Sequence, residues 1–179
     1  MKKKIFSIII ALLVIMSFAA CNQQSDTDSA KESIQNCMDA LKAADMNKAR
    51  QYASKDSKPF LTDAALKENP DDPEEKWIID LLASSQYKFK SGSIKDGEEK
   101  GTFIYEITSK DLMSIISQSM DDIMAGKSED EILSNMDVSK LDDQTRDVEI
   151  TVQKEGGKWK VVKAEDLLLE LTGMEGLAG

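Results

Sequence analysis

The chain contains no histidine and only two cysteines, Cys21 and Cys37, in 179 residues. Missing histidine removes the commonest general base and the commonest zinc ligand. It excludes Ser-His-Asp and Cys-His nucleophilic centres and argues against a zinc hydrolase site. The Walker phosphate loop, the dinucleotide glycine fingerprint and the Gly-x-Ser-x-Gly elbow are also absent. No cofactor is expected. Positive charge is scarce: 23 Lys and Arg stand against 33 Asp and Glu, a net charge of -10. Such a surface repels nucleic acid and anionic headgroups, so no nucleic-acid partner is expected. Cationic ligands or partners are favoured weakly.

One apolar run is present, and it sits at the start. Lys2, Lys3 and Lys4 precede a near-continuous apolar stretch from Ile5 to Phe18, followed by Ala19, Ala20 and Cys21. A basic start, a short apolar core and a small-residue end are the pattern of a secretory signal. The run falls short of the ~20 residues of a membrane span and is interrupted by Ser7 and Ser17. Phe18-Ala19-Ala20-Cys21 resembles the lipobox of bacterial lipoprotein precursors. Phe18 departs from that pattern, in which leucine is commonest. The resemblance implies cleavage after residue 20 and a diacylglyceryl group on the Cys21 sulfur. Two acyl chains hold a protein stably at a bilayer where one does not. The expected location is the extracytoplasmic face of a membrane, in a Gram-positive envelope by the style of the leader. In a Gram-negative cell, Asn22 after Cys21 would favour the outer membrane.

Three units follow: a signal peptide over 1–20, a polar tether over 21–29 (Asn22 to Ser29 has no apolar period), and one domain over 30–179. Without the three leader lysines the charge is -13. If Cys21 carries lipid, Cys37 has no partner within the chain. At a core-facing helical position it reads as a small buried hydrophobe.

Ser29 and Glu32 form a capping pair for a helix to about Ala44, with Ile34, Cys37, Met38 and Leu41 on one face. A short helix over 47–53 and a helical piece from Ser57 to Asn69 follow. Asp72, Pro73 and Glu75 start a helix over 73–83 carrying Trp77, Ile78, Leu81 and Leu82. The period then changes to two. Tyr87 to Ile94 and Thr102 to Thr108 read as a hairpin around an Asp-Gly turn. Ser109 is expected to cap a helix over 110–125, and Ser128 with Glu131 a second through Met136. Val138 to Thr145 reads as polar connection. Arg146 to Lys154 and the strand of Trp159 and Val161 form the second hairpin, and Ala164 to Leu171 a closing helix.

The class is therefore α+β, with N-terminal helices packed on a curved antiparallel sheet of two hairpins and a helical insert, Asp111 to Leu141, between them. The kinked pair of N-terminal helices and the passage from Asp147 to Val162 resemble the nuclear transport factor 2-like (cystatin-like) superfamily, in particular bacterial lipoproteins with uncharacterised domains of that class. In that superfamily the concave face often holds an apolar ligand, and in some members an acid-base site. The resemblance makes Tyr87, Phe89, Phe103, Tyr105 and Trp159 pocket candidates, with plain core as the other reading. An isomerase-like site would need a carboxylate and a tyrosine, for which Asp111 and Tyr105 are the candidates. The acidic clusters around Asp71, Asp121 and Glu129 lack the calcium-loop spacing, and no metal site is expected. Met113, Met120 and Met124 are either core or an adaptable binding surface.

The functional expectation is a non-catalytic, membrane-anchored binding module for a small apolar ligand or an envelope partner. The alternatives are an assembly protein that homodimerises through its sheet, and the carboxylate-tyrosine enzyme. Cells fed an alkyne-tagged fatty acid are expected to label this chain, and Cys21→Ser is expected to abolish the label and release the protein from membranes. Retained label in Cys21→Ser would refute the anchor.

Overall fold

A computed structural model describes residues 25–61 and 72–174. The expected leader, Cys21 and most of the helical piece from Ser57 to Asn69 lie outside the described residues. The fold is α+β, with helices and a four-stranded antiparallel sheet.

Helix α1 spans Asp26–Lys42. Its cap is Ser25, whose Oγ accepts from the Asp28 amide at 3.0 Å. The expected cap, Ser29, is inside the helix, so 26–29 are helical rather than tether. The earlier start is fixed by tertiary partners. Thr27 Oγ1 accepts from the Ile94 amide at 2.8 Å, and Asp26 binds Trp159 and Lys154. Ala30, Ile34, Cys37, Met38 and Leu41 form the buried stripe. Ala44 takes a left-handed φ of 54° and breaks the helix. Asp45 then caps α2, Met46–Tyr52. After a short 3-10 turn at Lys58–Phe60, α3 runs over Pro73–Ser84, capped by Asp72 with Pro73 in its first turn.

The strands are β1 (Gln86–Ser93), β2 (Lys100–Lys110), β3 (Asp143–Glu155) and β4 (Lys158–Val161), in that order across the sheet. Between β2 and β3 lie α4 (Leu112–Met124), α5 (Glu129–Asn135) and a 3-10 turn, Val138–Lys140. Helix α6, Ala164–Thr172, closes the fold. Phe103, Tyr105 and Ile107 of β2 join Val148, Ile150 and Val152 of β3, Val161 of β4, the α1 stripe and Leu167 and Leu171 of α6 in one core. Each such side chain, fully buried, contributes about 2 kcal/mol. The opposite face carries Lys88, Lys90, Thr102 and Glu149, all exposed.

Two sequence expectations fail for the same reason. Ser109 does not cap a helix. Ser109 and Lys110 extend β2, opposite Gln144 and Asp143. Ladder hydrogen bonds to β3 replace the local cap, and α4 starts two residues later. The segment from Val138 to Thr145 is not a polar connection. Val138 and Leu141 are buried against Leu81, with Trp77, Met136 and Met174 around them. Asp143 to Thr145 already belong to β3.

Gly173 ends α6 at φ 78°. A Cβ there would lie 2.1 Å from the Lys110 carbonyl oxygen, whereas one on Gly97 (φ 81°) would meet nothing within 4 Å. In urea unfolding, Gly97→Ala is expected to cost about 1 kcal/mol for its left-handed backbone. Gly173→Ala is expected to cost roughly 2 kcal/mol more, because backbone must also move. Equal losses would refute this close approach.

Candidate functional site

The aromatic set is built by the β1–β2 register. Phe89 stands opposite Tyr105, and Tyr87 opposite Ile107. Ring centroids lie 6.1 Å apart for Tyr87 and Tyr105, 5.6 Å for Phe89 and Tyr105, and 6.4 Å for Phe89 and Phe103. These are packing distances with edge or tilted geometry. Helix α1 covers the outer pair. Lys31 Nζ stands 4.2 Å from the Phe89 centroid and Lys42 Nζ 5.6 Å from that of Tyr87. Phe103 and Tyr105 are fully buried. Four of the five pocket candidates thus fill space with one another.

Two hydroxyls in this set behave differently. Tyr87 donates to Asp39 Oδ1 at 2.6 Å. Burial, and then this hydrogen bond, hold its phenol above the usual range. The Tyr105 hydroxyl is buried and has no hydrogen-bond partner among the described residues. Burial pushes its phenol up to about 12. Asp111 is six residues farther along the chain, beyond the end of β2. At ~3.3 Å per strand residue the two Cα atoms are about 20 Å apart. The structure does not bring the proposed acid-base pair together.

Trp159 is elsewhere, on β4, and 5% exposed. Its Nε1 donates to Asp26 Oδ1 at 3.0 Å, and Lys154 Nζ approaches the same oxygen at 2.8 Å. Lys154 also stands 5.5 Å from the indole centroid. Hydrogen bonds from Lys154 and Trp159 hold the Asp26 carboxyl below the usual carboxylate range. This cluster borders a cleft of about 540 Å³ between α1, α2 and the β3–β4 turn, whose rim is mixed: Glu32 and Asn36 on one side, Lys158 and Lys160 on the other. Sequence reasoning found Trp159 but missed Asp26, which it placed in a tether.

Two further clefts are shallower in chemistry. One of about 490 Å³ lies between α3 and the segment after α5. One of about 420 Å³ lies between β3 and α6. Neither borders any of the five aromatic candidates. Cys37 is buried, and desolvation pushes its thiol up to about 12. Among the described residues, no cluster of three or more Cys, Asp or Glu could hold a metal ion. No described helix is long and apolar enough to cross a membrane.

The largest surprise is α4. Ile116, Met120, Ile123 and Met124 are 40, 46, 54 and 80% exposed. Their spacing puts them on one helical face. The methionines at 120 and 124 are surface, not core. The side chain of Met113 lies outside the described residues.

No family model matches this chain, and no curated protein matches it. Among solved structures, it is similar to an NTF-2 like protein of unknown function from Shewanella oneidensis MR-1. The identity is 11%, over 75% of this chain and 92% of that one, with a TM-score of 0.43.

Tyr105→Phe separates core from pocket. An unpaired buried hydroxyl costs free energy, so its removal is expected to be neutral or to stabilise by about 1 kcal/mol in urea unfolding. A loss of that size instead would mean that the hydroxyl has a partner in solution.

Proposed function

We propose that this chain is an extracytoplasmic lipoprotein, anchored by a diacylated Cys21, whose domain is a non-catalytic binding module for an envelope protein. The observation that carries the reading is the apolar face of α4, where Ile116, Met120, Ile123 and Met124 lie exposed among the described residues. Soluble monomers rarely expose contiguous apolar patches beyond a few hundred Å², and such patches mark interaction sites. Methionine suits a surface that must adapt to what it meets.

Chemistry selects the occupant. The α4–α5 arm, 112–135, carries five acids (Asp121, Asp122, Glu129, Asp130, Glu131) and one base, Lys127. A partner with an apolar patch and a basic rim is complementary to it. Position argues against lipid as the occupant. The start of α1 is tied to the turn end of the sheet through Ile94 and Trp159. The arm leaves from the other end, after Lys110. Eleven residues of β2 separate the two ends, roughly 33 Å at strand rise. An anchor on Cys21, four residues before Ser25, would bring the turn end of the sheet to a bilayer, and α4 starts from the opposite end.

The competing readings fare worse. An enzyme would need Asp111 and Tyr105 in contact. A small apolar ligand would need room among rings that fill the space themselves. A sheet dimer would bury Lys88, Lys90 and Glu149, which are charged and exposed.

The test is site-specific photocrosslinking in cells making the full lipoprotein. A photoreactive residue at Met120 is expected to give one discrete protein adduct, absent from a control at Thr102 on the sheet face. Ile123→Glu with Met124→Glu is expected to cut that adduct by about tenfold or more. Only lipid or self adducts, or an adduct indifferent to the double substitution, would overturn the reading.

A further inference from the structure

Strand β4 is much shorter than the strand it borders. It covers Val152 to Glu155 of β3 and no more. Beyond it the Val162 amide donates to the Thr151 carbonyl at 2.9 Å. Lys163 then turns with a left-handed φ of 56° and sends the chain into α6. The β3 edge from Asp143 to Ile150 has no neighbouring strand among the described residues.

Two hydrogen bonds fix which backbone groups face that open edge. The Lys154 amide donates toward β2, to the Glu99 carbonyl at 2.8 Å. The Thr151 carbonyl points the other way, to Val162. In a regular strand the N–H and C=O of one residue share a side, and the side alternates. Even-numbered residues of this stretch therefore bond β2, while the N–H and C=O of Asp147 and Glu149 point outward. Beside them is the cleft of about 420 Å³, walled by α6. An open strand edge alongside a helix is a geometry that accepts an added strand.

We infer that this groove binds an extended basic peptide segment of another protein, which adds to the sheet along Asp147 and Glu149. Backbone hydrogen bonds to these two residues would supply affinity, and charge would supply selectivity. The cleft is lined by Asp147, Glu149, Asp166 and Glu170; Lys90, Lys163 and Arg146 already pair with Asp147, Asp166 and Glu170, so Glu149 is the acid left to meet a basic residue. The sheet already shows the matching contact: Lys90, on the same face, meets Asp147 at 3.0 Å. Glu149 is exposed, and a Lys or Arg on an added strand would stand opposite it. Acids on an open edge also deter pairing between copies of this chain, since like charges oppose. The inference does not depend on the α4 reading, because the two surfaces are separate and are tested by different substitutions.

The test uses the full lipoprotein in detergent and, as probe, a capped peptide of alternating lysine and valine. The glutamate-valine peptide is the control. Residue-resolved amide exchange is expected to show Asp147 and Glu149 slowed by about tenfold or more at saturation. Val148 and Ile150, already bonded to β2, are expected to change little. Glu149→Lys is expected to weaken binding about fivefold. Glu149→Pro removes an amide that no described residue uses and blocks strand addition. It is expected to abolish the protection while circular dichroism stays native, and Glu149→Gln, with an intact amide, to retain it in weaker form. Equal binding of both peptides, or protection that spares Asp147 and Glu149, would overturn the inference. So would amides already protected in a self-associated protein, which would make a second copy the occupant.

Discussion

Eleven residues of β2 pair without interruption with eleven of β3, from Lys100 opposite Gln153 to Lys110 opposite Asp143. The side-chain period of a strand is two, so one unbroken register decides the face of every residue in both strands at once. It places Phe103, Tyr105 and Ile107 beside Ile150 and Val148 in the core and leaves Thr102 and Glu149 to water. A slip by one residue would bury the charges and expose the rings. The ladder also sets the two ends of the domain. At one end its turns lie side by side and receive the start of α1. At the other it releases the α4–α5 arm.

The second constraint is the way α1 is pinned. Ser33 Oγ donates to the Trp159 carbonyl at 2.7 Å, and Asp26 and Thr27 reach Trp159 and Ile94. Each partner belongs to a different hairpin turn or its neighbouring strand. Three polar contacts thus tie one helix across the width of the sheet, while the Ile34 to Leu41 stripe covers it. The exposed ion pairs elsewhere, such as Lys76 with Asp80, add little by comparison.

Most element types were legible because the local signals agreed with the tertiary answer. Asp72 before Pro73, and Ser128 with Glu131, mark helix starts that the structure keeps. Alternation marked β2 and β3. Boundaries failed where a distant partner outweighed a local signal. Ser25 and Ser29 each have an acid three residues on, so the sequence offers two equivalent caps. The choice is made by residues 67 and 133 positions away. Val138 and Leu141 carry no period, and only packing against Leu81, Trp77, Met136 and Met174 explains their burial. As for the site, periodicity revealed the apolar face of α4 but not that it lies exposed among the described residues. The open edge of β3 was not legible at all, since it results from where β4 stops.

The buried thiol of Cys37 bears on how such a chain matures. A thiolate is the species that attacks a disulfide, and a thiol whose pKa stands near 12 offers almost none of it at neutral pH. Before α1 settles on the sheet, the same sulfur titrates near ~8.5 and is open to exchange. Docking of the helix therefore closes this sulfur to thiol-disulfide exchange. The interval before docking is the one in which this sulfur is open to mispairing.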